Sequence, residues 1–83
     1  MKLEAIKARI ESAIAGASAE ITDMGGGDHI HALVIATAFS GKSLIQQHRM
    51  VLDLFQTEIA SNDVHALQVK TLTPEQAKSQ GFI

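Results

Sequence analysis

Residues 64–72 read Val-His-Ala-Leu-Gln-Val-Lys-Thr-Leu, and the alternation in this stretch decides the fold. His65, Leu67, Val69 and Thr71 fall on one side and Gln68 and Lys70 on the other, the period-two pattern of a strand with one buried face. Thr73-Pro74-Glu75 follows at once. Threonine as N-cap and proline in the first helical position open a short closing helix, about 75–80.

Upstream, Leu44, His48, Val51, Leu52, Phe55 and Ile59 share a helical face. This predicts the longest helix, bounded by Ser40-Gly41-Lys42-Ser43 and by Ala60-Ser61-Asn62-Asp63, with either serine able to cap it. Before it, His29 to Phe39 holds the apolar, β-branched run Ile30-His31-Ala32-Leu33-Val34-Ile35-Ala36, which reads as a strand. Residues 18–24 alternate weakly and read as an edge strand, joined to it as a hairpin through Gly25-Gly26-Gly27-Asp28. Leu3, Ile6, Ile10, Ala13 and Ile14 form an amphipathic stripe over 3–15, with Lys2, Lys7, Arg9 and Glu11 on the wet side and Gly16 as its C-cap. The order is α-β-β-α-β-α. The expectation is one α/β (α+β) domain over residues 1–83, a three-stranded sheet covered on one face by helices.

Composition narrows the function classes. Lysine and arginine total 7 against 9 acidic residues, a net charge of −2. Binding to a phosphate backbone needs clustered basic residues, so strong nonspecific DNA binding is not expected. Phe39, Phe55 and Phe82 are the only aromatics apart from histidine, too few for a base-stacking platform. Without cysteine the chain makes no disulfide and supplies no thiolate. Met1-Lys2-Leu3-Glu4 opens no apolar signal region, and no run approaches the roughly 20 apolar residues of a membrane span. A soluble, cytoplasmic protein is expected.

Gly41-Lys42-Ser43 is not a phosphate loop, because Ala36 stands where that motif needs glycine. Gly25-Gly26-Gly27-Asp28 reads as a hairpin loop ahead of an anion nest. No nucleophile elbow or paired-carboxylate pocket assembles, so no enzyme is expected. The four histidines, His29, His31, His48 and His65, are the only evident metal-ligand chemistry. His29 and His31 point to one side of their strand. His48 lies on the apolar stripe as a partly buried imidazole, and Arg49 beside it is placed to meet a partner or a phosphate. No spacing describes a closed zinc site. Taken singly, each histidine reads first as structural.

Phe39-Ser40-Gly41-Lys42-Ser43 followed by Gln47-His48-Arg49-Met50-Val51, Val64-His65-Ala66-Leu67, and Gly27-Asp28-His29 together resemble the BolA family over nearly the whole chain. Gln47 departs from the arginine usual before His48-Arg49, which reads as one charge removed from the nucleic-acid surface. Asp28 stands where serine is frequent, and His31 has no counterpart. The resemblance implies a class II KH-like fold with a helix-turn-helix element. It further implies a monothiol glutaredoxin partner and a bridging 2Fe–2S cluster. Glutaredoxin cysteine and a glutathione thiolate supply part of the ligation, and His65 and His29 complete it. No cofactor is expected in the isolated chain, and an apo homodimer is compatible with the family.

Imidazole ligation raises the potential of such a cluster. His65 reads as the firm ligand and His29, after its glycines, as the labile one. The alternative implied function is a DNA-binding regulator, linked to the stress response, with Lys42, Arg49 and Lys70 as weak phosphate contacts.

Overall fold

The computed structural model describes residues 1–26 and 29–83. Gly27 and Asp28, on which part of the hairpin-loop and anion-nest reading rests, lie outside the described residues. The elements are α1 (Leu3–Ala13), β1 (Ser18–Asp23), β2 (His29–Ile35), a 3-10 turn (Thr37–Phe39), α2 (Leu44–Leu52), a second 3-10 turn (Asp53–Phe55), α3 (Gln56–Ala60), β3 (Ala66–Leu72) and α4 (Pro74–Ser79).

The sheet runs β1-β2-β3. β1 and β2 form the expected antiparallel hairpin, with Ser18 opposite Ile35 and Asp23 opposite Ile30. β3 pairs in parallel with β2, His29 opposite Ala66 and Ile35 opposite Leu72. Parallel strands need a long crossover, and α2 and α3 provide it.

Alternation decides which side chains meet the helices. Ile30, Ala32 and Val34 of β2 join Ala19, Ile6, Ile10 and Ile14 in the main core, together with Val51, Phe55 and Phe39. Leu67 and Val69 of β3 pack against the same core. The expected helical layer therefore covers this face. α4 adds a small second cluster on the other face, where Ala77 packs with Leu33, Leu72 and Ile35.

The helix expected over 44–60 is interrupted. Phe55 takes φ −123°, ψ 19°, outside the helical range, and divides the segment into α2 and the five-residue α3. α2, the 3-10 turn and α3 fill the stretch where the resemblance places a helix-turn-helix element. The Leu54 carbonyl beside the kink accepts a hydrogen bond from Arg9 Nη1 at 2.9 Å. Arg9 also grips Glu58 through both guanidinium nitrogens, at 2.8 and 3.2 Å, and lies 4.9 Å above the Phe55 ring. Arg9 is thus not a simple wet-face residue but a clamp between α1 and the crossover.

The apolar stripe of α2 is also phased differently from the expectation. Leu44 is 61% exposed, whereas Gln47 is 8% exposed and faces the core. Its Nε2 donates to the carbonyls of Phe39 and Lys42 at 3.2 and 3.0 Å, and its Oε1 accepts from Thr71 Oγ1 at 2.6 Å. Position 47 is interior, so glutamine there does not remove a charge from an outer surface.

Both anticipated caps are present. Ser43 accepts from Gln46 N–H while Gln46 Oε1 accepts from Ser43 N–H, and Thr73 and Gln76 repeat the arrangement at α4. These reciprocal bonds satisfy amides that a helix start leaves open. α1 ends at Ala13, earlier than expected, and the chain turns through Gly16 at φ +69°. A β-carbon on Gly16 would meet Thr37 Oγ1 at 2.8 Å, so both backbone and space favour glycine there.

Candidate functional site

His29 is the first residue of β2, and His65 immediately precedes β3. Parallel pairing sets His29 opposite Ala66, which brings the neighbouring His65 alongside. Their rings stand 5.1 Å apart, centroid to centroid, tilted by 46°. Both residues are exposed. Residues 36 positions apart in sequence thus form one imidazole pair at the end of the sheet.

Both histidines adjoin hydrogen-bonded main chain. His29 belongs to a paired strand, and its carbonyl accepts from Met24 N–H at 2.7 Å. His65 lies in the bend ahead of β3. That bend is anchored by Val64, which is 1% exposed and donates its N–H to the Glu58 carbonyl at 3.1 Å.

Two imidazoles form a borderline donor set, suited to iron, zinc, copper or nickel. Two imidazoles bound to one tetrahedral ion at about 2.0–2.1 Å place their ring centroids roughly 5 Å apart, which the observed 5.1 Å meets. Among the described residues no group of three or more His, Cys, Asp or Glu side chains could hold a metal ion. The pair offers part of a coordination sphere.

Met24, at 61% exposure, stands next to this pair. With His29, Ile30, Ala66 and Gln68 it lines a depression of about 120 Å³. Sequence reading passed over Met24; the available signal was a large apolar residue immediately before a glycine run. His31 shares the strand face of His29, as expected, and sits between Thr22 and Gln68 on the neighbouring strands. His48 is half-buried on α2, in keeping with the expectation.

The three basic residues read as phosphate contacts are only partly assembled. Lys42 and Lys70 line one groove of about 570 Å³, bordered by α2, β3 and α4. Arg49 is exposed on α2 and does not line it. Among the described residues no helix is long and apolar enough to cross a membrane.

The chain is thus a small α+β domain with two exposed histidines at one end of its sheet. Residues 2–76 match the family described as BolA-like protein, and the chain belongs to that family. It is 32% identical over 80 residues to BolA-like protein 1 of Mus musculus, covering 87% of this chain and 58% of that protein. It is 41% identical over 49 residues to SufE-like protein 1, chloroplastic/mitochondrial, of Arabidopsis thaliana, covering 59% of this chain but 13% of that protein. The chain thus spans less than two thirds of these relatives.

Among solved structures, a bolA protein homologue from Coxiella burnetii superposes with a TM-score of 0.78 at 29% identity, covering 94% of this chain and 97% of that one. The BolA domain of SufE1 from Arabidopsis thaliana gives 0.76 at 30% identity, covering 88% and 92%.

Proposed function

We propose that this chain is an iron–sulfur trafficking or regulatory adaptor that binds a monothiol glutaredoxin and shares a bridging 2Fe–2S cluster through His65 and His29. One observation carries the reading: an exposed imidazole pair at one end of the sheet, 5.1 Å between ring centroids. The BolA-like family supports it, as does the likeness to a BolA domain within a plant SufE-like protein.

The cluster is cargo, and this chain's residues supply only part of its hold. Neutral imidazoles in place of thiolates lower the negative charge around a 2Fe–2S centre and raise its potential. The absence of cysteine means that thiolate ligands must come from the glutaredoxin and from glutathione. Met24 and the depression beside His29 give the partner an apolar contact next to the ligands. Two ligands on a surface favour release and exchange over storage.

The test is reconstitution of the mixed complex with a monothiol glutaredoxin, glutathione, iron and sulfide, followed by visible absorption and circular dichroism. His65→Ala and His29→Ala are each expected to change the cluster spectrum and speed its loss. An unchanged complex and spectrum with His65→Ala would sink the assignment. DNA regulation takes second place because only Lys42 and Lys70 of its three proposed contacts share a groove, in a chain of net charge −2.

A further inference from the structure

β3 is an edge strand, bonded to β2 on one side only. Among the described residues, no main-chain hydrogen bond from outside the sheet reaches residues 66–71. The outward N–H and C=O groups of this edge are a template for another extended chain. Beside it runs the groove of about 570 Å³, a volume within the roughly 300–1,000 Å³ usual for ligand sites.

The lining of this groove is opposite in sign to the molecule. It contains Lys42 and Lys70 and no carboxylate, although the whole chain carries −2. Apolar surface stands at its margin: Leu44 is 61% exposed and Phe82 46% exposed. Lys70 Nζ lies 5.2 Å above the Phe82 ring, which holds the lysine beside the strand.

We infer that this edge docks an extended acidic peptide segment of a partner protein by strand addition, main chain on β3 and carboxylates on Lys42 and Lys70. Strand addition draws its affinity from main-chain bonds and its selectivity from side chains on either side. A nucleic acid has no amide ladder to pair with the edge. The groove lining also contains no Phe, Tyr or Trp on which bases would stack. Lys70 is five residues beyond His65, about 16 Å along an extended chain. The peptide site is separate from the histidine pair, so it does not depend on the cluster assignment.

The experiment titrates the isotope-labelled chain with a capped hexapeptide alternating valine and glutamate, read by amide chemical shifts. Shifts centred on residues 68–70 are expected, where the edge is most exposed. Two further peptides carry N-methyl groups on alternate amides, one on the odd set and one on the even. Strand addition uses one set, so one peptide should bind as the parent and the other should lose binding.

Lys42→Ala with Lys70→Ala should weaken the parent peptide by at least about tenfold, with distant amide shifts unchanged as proof of folding. His65→Ala should bind it normally. Equal binding by both N-methyl peptides, shifts mapping elsewhere, no shift at millimolar peptide, or wild-type affinity in the lysine variant would each overturn the proposal. Displacement of the peptide by a twelve-residue oligothymidylate that itself binds more tightly would assign the groove to nucleic acid instead.

Discussion

Thr71 donates its hydroxyl to Gln47 Oε1 at 2.6 Å, tying β3 to α2 through a buried bond between side chains 24 residues apart. The same glutamine amide donates to the Lys42 and Phe39 carbonyls. One side chain thus closes the turn before α2 and joins that helix to the sheet.

Gln47→Leu keeps the volume but leaves the Thr71 hydroxyl and the Lys42 carbonyl without these partners. A loss of about 1–3 kcal/mol is expected, with the melting temperature falling about 4–8 °C per kcal/mol for a domain of this size. Thr71→Val removes the other half of the bond. In chemical denaturation the double variant should lose less than the sum of the two single variants. Strict additivity would show that the bond contributes no coupling.

The Arg9–Glu58 clamp predicts an acid-sensitive component of stability. Hydrogen bonds from Arg9 hold the Glu58 carboxylate below the ordinary carboxylate range, while the same contact raises the Arg9 guanidinium. The folded-state value for Glu58 is depressed. Its contribution is therefore full above the unfolded value, about 4.3, and is lost as pH falls through the lower folded value. The melting-temperature gap between the native chain and Glu58→Gln should be present near neutrality and close in acid. Glu11 is also lowered, chiefly by its hydrogen bond from Lys7 and then by Ala19 N–H, and is common to both chains. A gap that does not change with pH would contradict the clamp.

The capping boxes can be tested separately. Ser43→Ala and Thr73→Ala should each cost about 1 kcal/mol. Thr73→Ala should act mainly on α4, whose Ala77 packs with Leu33 and Leu72. Faster amide exchange over residues 74–79, with the β1–β2 hairpin unchanged, is the expected signature. Uniform loss of protection would mean that α4 does not open independently.

His65 is exposed, and its ring contact with His29 is tilted. His65→Ala should shift the stability of the isolated chain by no more than about 0.5 kcal/mol, measured by denaturant titration. A large loss would mark His65 as a structural residue and undercut its role as a ligand.

Local sequence determined much of this protein. Thr73-Pro74 announced one helix start, and the pair Ser40 and Ser43 the other, because a cap acts within one turn. The β-branched run Ile30 to Ala36 announced a strand, and side-chain alternation then set Ile30, Ala32 and Val34 in the core. The motifs around residues 39–51 and Val64-His65-Ala66-Leu67 pointed to the family before the fold was in view.

Tertiary structure decided what depended on distant neighbours. Gln47 is interior because Thr71 and two carbonyls satisfy its amide, a partnership that helical periodicity does not encode. Arg9 became a clamp because the chain kinks at Phe55. The histidine pair has the same origin. Sequence supplied His29 and His65 as candidates, but parallel register alone put their rings 5.1 Å apart. Side-chain chemistry is carried by each residue, whereas a shared site requires two segments to fold into contact.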